Sequence, residues 1–137
     1  MFWRFQVADD EKVDRYIVRD ADSRLNSRER MAVEEWIESN VPVHLLRDHV
    51  NHCHAFNGGM WGGTKVAFQD IGGLVPGMNS ILKGKQTNYM GDMNFLNENI
   101  YPSVKEKTFA HDAYCCGKFI NSKPFPTKRP SNYQHVG

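Results

Sequence analysis

The chain is predicted to be an α/β protein, a mixed sheet with flanking helices, on three observations. A short β-prone run ends in a polar cluster at Asp20, a segment of helical periodicity follows it, and two further short apolar runs at 43–46 and 108–110 are set apart by turn-rich and helical stretches. With 137 residues, 40% of them hydrophobic, the chain fits a single domain, 1–137, with one ordinary core.

Each element has a local cause. Val13-Asp14-Arg15-Tyr16-Ile17-Val18-Arg19 carries β-branched and aromatic residues and delivers Asp20 to the C-terminal edge of a strand, where ligands of open α/β sheets collect. Asn26 or Ser27 caps a helix whose apolar positions Ala32, Val33, Trp36 and Ile37 recur at helical spacing, with Glu29 in its first turn and an end near Asn40, ahead of Pro42. Val43-His44-Leu45-Leu46 predicts a second strand. A polar stretch from Arg47 to His54 comes next, then Gly58, Gly59, Gly62 and Gly63, which let backbone approach a ligand closely.

Pro76 opens a short helix carrying Met78, Ile81 and Leu82, and Asp92 caps another carrying Phe95, Leu96 and Ile100 before Pro102. Thr108-Phe109-Ala110 predicts a last strand with His111 and Asp112 at its end. From Lys118 to Gly137, with Pro124, Pro126 and Pro130, no period survives, which predicts an extended, loosely docked tail.

Composition narrows the function classes. A formal net charge of +1 gives no field to draw the chain onto nucleic acid or an anionic membrane, so an anion must be held by a local site. The basic tail residues Lys123, Lys128 and Arg129, with Phe119, Phe125 and Tyr133, lack the basic helix or aromatic sheet motif of a nucleic-acid binder. No apolar run reaches the ~20 residues that span a bilayer. The three cysteines, Cys53 and the adjacent Cys115 and Cys116, are odd in number and lack CxxC spacing, which argues against a disulfide framework and for a reducing, cytoplasmic setting.

The chemistry starts at Asp20-Ala21-Asp22. Two carboxylates one small residue apart at a strand end can offer oxygens to a hard cation, which in turn neutralises a diphosphate; the same triplet also serves as a turn or cap. Arg19 and Arg24 flank the pair as candidate phosphate-binding forks or as plain ion-pair partners. A competing constellation is His49, His52, Cys53 and His54, whose imidazoles and thiolate suit zinc and would make the chain a non-catalytic zinc-binding module, although no second ligand pair stands at finger-like spacing.

An ordered series of motifs resembles a known family. It runs from Trp3-Arg4-Phe5 and Asp9-Asp10 through Ile17-Val18-Arg19-Asp20-Ala21-Asp22-Ser23-Arg24-Leu25, then Arg28-Glu29, Glu35-Trp36, Arg47-Asp48-His49 and Gly58-Gly59-Met60-Trp61-Gly62. It continues with Tyr89, Asp92, Phe95-Leu96, Tyr101-Pro102, Ala110-His111-Asp112, Pro126-Thr127-Lys128-Arg129 and Val136-Gly137. The series is similar to glycosyltransferases of the GT-A type found in bacteria and large DNA viruses. One departure stands at Met93, where the family commonly has Gln.

The resemblance implies a partial GT-A fold and an enzyme that moves a sugar from a nucleotide-sugar donor to a glycan or other hydroxyl acceptor. It implies Mn²⁺ or Mg²⁺ on Asp20 and Asp22, with His111 as the further protein ligand, and Asp92 as the carboxylate beside the anomeric carbon. Gly58 and Gly59 are then expected to pass close to the donor and Trp61 to offer a stacking wall, against the alternative of a tight turn with Trp61 in the core. Arg47, Asp48 and His49 either bond sugar hydroxyls and phosphates or form a buried salt-bridged corner. Because the Asp-x-Asp motif arrives only at residue 20, too early for a preceding βαβ unit of ~30 residues, the chain is expected to be a fragment lacking the nucleoside-binding half, or a reduced homologue. An open sheet edge would then favour that missing half or a homodimer as partner.

Overall fold

The computed structural model describes residues 2–82, 90–131 and 135–137, so that Tyr89 and Tyr133 lie outside the described residues. The fold is mixed α/β, as predicted. Its strands are β1 (Arg15–Arg19), β2 (Val43–Arg47), β3 (Met60–Thr64), β4 (Thr108–Asp112) and β5 (Ser122–Lys123), and they form one sheet in the order β1-β3-β2-β4-β5. β3 runs antiparallel to β1 and β2, while β4 is parallel to both β2 and β5. It follows that β1, β2 and β4 all end at the same edge of the sheet, where Asp20, Asp48 and Asp112 stand.

β2 is buried at all five positions because it is central and covered on both faces. Val43 and Leu45 face the larger core with Phe5, Tyr16, Val18, Trp61 and Ala110. Leu46 faces the other side with Ala32, Met60, Phe125 and Val136, under helix α1 (Ser27–Ser39). Asn26 caps α1 by accepting from the Glu29 amide, and Asn40 ends it in the left-handed conformation at φ 54°, both as the sequence predicted. Gly62 and Gly63 serve this packing, since a Cβ on either would collide with Tyr16 and, at Gly62, with the Trp36 ring as well. Neither glycine lines the cleft beyond the end of β1.

Short helices complete the larger core: α2 (Leu74–Leu82), α3 (Gly91–Phe95), a π turn Leu96–Ile100, and α4 (Tyr101–Val104). No helix among the described residues is long and apolar enough to cross a membrane.

Three features depart from the sequence reading. The first residues form a 3₁₀ segment, Phe2–Asp9, whose Phe5 and Ala8 are core residues. The tail is anchored: Ser122–Lys123 adds a strand to the sheet, Phe125 and Val136 are buried, and Arg129 reaches Asp48. Finally, Cys53 and Cys115 are joined in a disulfide with Cα atoms 5.9 Å apart, against the expectation drawn from their odd number; Cys116 is the unbonded third. Count alone misled here, because proximity is set by the loops that follow β2 and β4, two adjacent parallel strands.

On the α1 face a buried polar chain crosses the sheet. His44 stacks on Trp36 at 5.0 Å between ring centres, its Nε2 lies 2.9 Å from His111 Nδ1, and His111 Nε2 lies 2.8 Å from Glu35, which also meets Lys123 at 2.9 Å. Burial first, then the charges of His111 and Arg19, holds His44 well below the usual imidazole range; burial also lowers His111, while Glu35 opposes that shift. The bonds from His111 and Lys123 lower the Glu35 carboxyl. Both effects carry one sign: the folded state binds fewer protons than the unfolded chain, so stability is full above about pH 6.5 and falls as the pH drops below it, with Glu35 adding to the loss below about 4.5. Urea unfolding between pH 8 and pH 5 is expected to show this decline, and His44→Phe, which keeps the ring stack, to reduce its slope. An unchanged slope would remove the buried histidine as its cause.

Candidate active-site cleft

At the sheet edge where β1 ends and β3 begins lies a cleft with two contiguous lobes, each about 450 Å³. Asp20, Asp22, Gly58, Gly59, Met90 and Met93 line both lobes. Arg4 and Asp92 close one, and His52, His54, Asn57 and His135 line the other. The register that pairs Arg19 with Met60 brings the residue after β1 and the two glycines before β3 to the same point. A Cβ on Gly59 would collide with the Asp20 carboxylate, and one on Gly58 would sit 2.6 Å from Arg4 Nη2. The glycine pair is therefore needed for close approach, and what approaches is the cleft's own charged side chains.

Arg4 links two carboxylates that stand far apart along the chain. Its Nη1 donates to Asp20 Oδ1 and its Nη2 to Asp92 Oδ2. Asp92 is buried inside the first turn of α3, where its other oxygen accepts from the Met93 amide at 2.9 Å, while Met90 and not Asp92 occupies the cap position. Arg4, with Asp20, Asp22 and Asp92, gives this lobe a formal charge of −2. The sequence named Arg4 only within a motif and gave it no role. Its signal was faint, a lone cation in a segment with Phe at positions 2 and 5.

Beside the second lobe three imidazoles gather, of which His52 and His135 line it. His49, His52 and His135 have ring centres 4.9 to 5.9 Å apart, and Asn57 fixes the His52 loop by donating to the carbonyls of His52 and Leu46. Burial, then the neighbouring His49, His135 and His54, pushes the His52 ring toward its neutral form, and its Nδ1 is buried without a hydrogen-bond partner among the described residues. His135 was the histidine the sequence reading overlooked, because it stands in a tail that showed no periodicity.

Several expected site residues lie elsewhere. His111 lines neither lobe, since both of its ring nitrogens are used inside the α1 layer by His44 and Glu35. Arg19 pairs with Glu29 and donates to the carbonyls of Val18 and Trp61. Arg24 is exposed and lines neither lobe. Arg47 is fully buried, 3.2 Å from Asp112, and donates to the His54 and Ala55 carbonyls. Asp48 is fully buried as well, receiving Arg28, Arg129 and the Val136 amide. These two form the salt-bridged corner rather than a sugar site. Trp61 has no exposure at all and is a core residue, and His49 uses its Nδ1 to accept from the Asn51 amide. The zinc constellation loses its thiolate to the Cys53–Cys115 disulfide.

The donors left in the cleft suit one class of metal. Among the described residues no group of three or more His, Cys, Asp or Glu is arranged to hold an ion, so the closed site of a structural metal is missing there. Asp20 and Asp22 are exposed carboxylates with open space before them, while the unpartnered His52 Nδ1 is buried and adds no donor to that space. That set fits a hard divalent cation that keeps water and takes its remaining oxygens from phosphate, as Mg²⁺ does with one or two carboxylates. Comparison with protein-family models, curated proteins and solved structures finds no match for the chain.

Proposed function

We propose that the chain is a metal-dependent glycosyltransferase of GT-A type, acting on a nucleotide-sugar donor and a glycan or other hydroxyl acceptor. The observation that carries this reading is the gathering of Asp20, Asp22 and Asp92 in one cleft at the C-terminal edge of the sheet, where the lobe's formal charge is −2. A diphosphate would be repelled by such a surface on its own. Asp20 and Asp22 would hold Mn²⁺ or Mg²⁺, which when bound supplies the positive charge that a leaving nucleoside diphosphate needs. Asn57 and Arg4 hold the walls, and Gly58 and Gly59 leave room for the Arg4 guanidinium and the Asp20 carboxylate. Asp92, buried beside the cleft, is the group that takes the acceptor's proton or steadies charge on the sugar ring.

Titration calorimetry with uridine and guanosine diphosphates tests the reading. Binding is expected only with Mn²⁺ or Mg²⁺ present, and Asp20→Asn is expected to weaken it by about tenfold or more, since losing even an outer-shell partner of a metal ligand costs about 10–100-fold in metal affinity. Binding indifferent to chelator, or lost equally in an exposed variant far from the cleft such as Lys105→Gln, would refute it.

A further inference from the structure

We propose that Arg4 is a built-in countercation of the cleft: its guanidinium holds the Asp20 carboxylate, and a divalent cation gains that carboxylate only by displacing it. The inference rests on the reading that Asp20 and Asp22 receive a metal, and it concerns what the ion must compete with.

Arg4 is not a surface arginine free to sweep the solvent. It is carried by the 3₁₀ segment Phe2–Asp9, which Phe5 and Ala8 pin into the larger core, and its side chain is 12% exposed. Each terminal nitrogen serves a different carboxylate, one 16 residues away in sequence and the other 88. Gly58 leaves the room, since a Cβ there would stand 2.6 Å from Nη2. The two ends of the bridge differ in protection: the Asp92 side chain is 6% exposed and that of Asp20 is 47%. Water and ions reach the Asp20 end, so that bond is the exchangeable one, while the Asp92 end stays sheltered.

Charge closes the argument. With Arg4 bridging, the lobe carries a formal −2, which one divalent cation neutralises. After the exchange the cation lies on Asp20 and Asp22 and Arg4 keeps Asp92, so no carboxylate of the lobe is left without a positive partner. Arg4 Nε is buried without a partner among the described residues, which leaves the guanidinium less than fully satisfied where it now lies.

The test is Mn²⁺ alone, followed by the electron paramagnetic resonance of the free ion, on the unmodified chain and on Arg4→Gln, Gly58→Ala, Arg24→Gln and Asp20→Asn. Arg4→Gln is expected to bind Mn²⁺ about two- to fivefold more tightly than the unmodified chain, the worth of a part-exposed ion pair toward its upper end. Arg24→Gln removes the same charge from an exposed site near Asp22 and is expected to gain clearly less; Asp20→Asn should lose the ion. If Arg4→Gln does not fold, Gly58→Ala decides, because its methyl group pushes the guanidinium out while leaving the charge in the chain. Equal or weaker binding in the deciding variant, or an equal gain in Arg24→Gln, overturns the inference and leaves the metal reading standing. No binding in any of the five proteins overturns the metal reading and this inference with it.

Discussion

On the transferase reading, Asp92→Asn is expected to lower turnover by about 100- to 10,000-fold, the usual share of a positioned proton acceptor, while changing donor affinity little. The amide keeps the shape of the carboxylate, and its oxygen can still accept from the Met93 amide, so α3 keeps its local bond. What is lost is the charge and the capacity to take a proton. Arg4 loses its charged partner at position 92, where the amide oxygen can still accept from it, and keeps Asp20 in the metal-free cleft. Release of nucleoside diphosphate per folded molecule, measured beside donor affinity, separates the outcomes. Reduced stability with unchanged turnover in the folded fraction would make Asp92 a purely structural partner of Arg4.

The fold was legible wherever local pattern and tertiary demand agree. β1, α1, β2 and β4 fall where β-branched runs, helical spacing and caps placed them, because each carries its own apolar period and its own stop signal. β3 was hidden: Met60-Trp61-Gly62-Gly63-Thr64 reads as a turn, and its glycines are there because Tyr16 and Trp36 lie against the strand. The 3₁₀ segment Phe2–Asp9 and β5 were hidden for a different reason. Both are short and lean on the rest of the molecule, with little intrinsic preference to announce them.

Within the cleft, sequence reasoning found the carboxylates and missed what surrounds them. Asp20, Asp22, Asp92, Gly58 and Gly59 do line one concavity. A charged residue in a motif, however, does not disclose whether it faces substrate or another charge: Arg19, Arg47 and Asp48 all face charges. His111 and His135 show the limit well. Strand alternation sends His111 into the α1 layer, whereas His135 reaches the cleft because Val136 beside it is tied to a buried carboxylate. That tie joins residues 88 positions apart, and no local spacing can reveal it.

The buried carboxylate is Asp48, and its removal should have the largest effect on stability. It has no exposure, and it accepts Arg28 through both oxygens at 2.8 and 2.9 Å, Arg129 at 2.7 Å and the Val136 amide at 3.0 Å. Asp48→Ala would leave Arg28, itself 5% exposed, beside a second guanidinium with no shared anion between them. Breaking a buried pair in this way costs about 3–5 kcal/mol, far more than the pair's net worth, because the remaining charge cannot return to water without moving its element. Here the element that can move is the tail, and its release relieves the repulsion at the expense of the buried Val136 and of Arg28 lying over Phe125. Urea unfolding is therefore expected to show a loss of that size, and limited trypsin digestion to cut after Lys128 much faster than in the unmodified chain. His135 would leave the cleft with the tail, opening that wall of the second lobe. Unchanged stability with an uncut tail would show that Arg28 and Arg129 find other partners and that Asp48 is not the anchor.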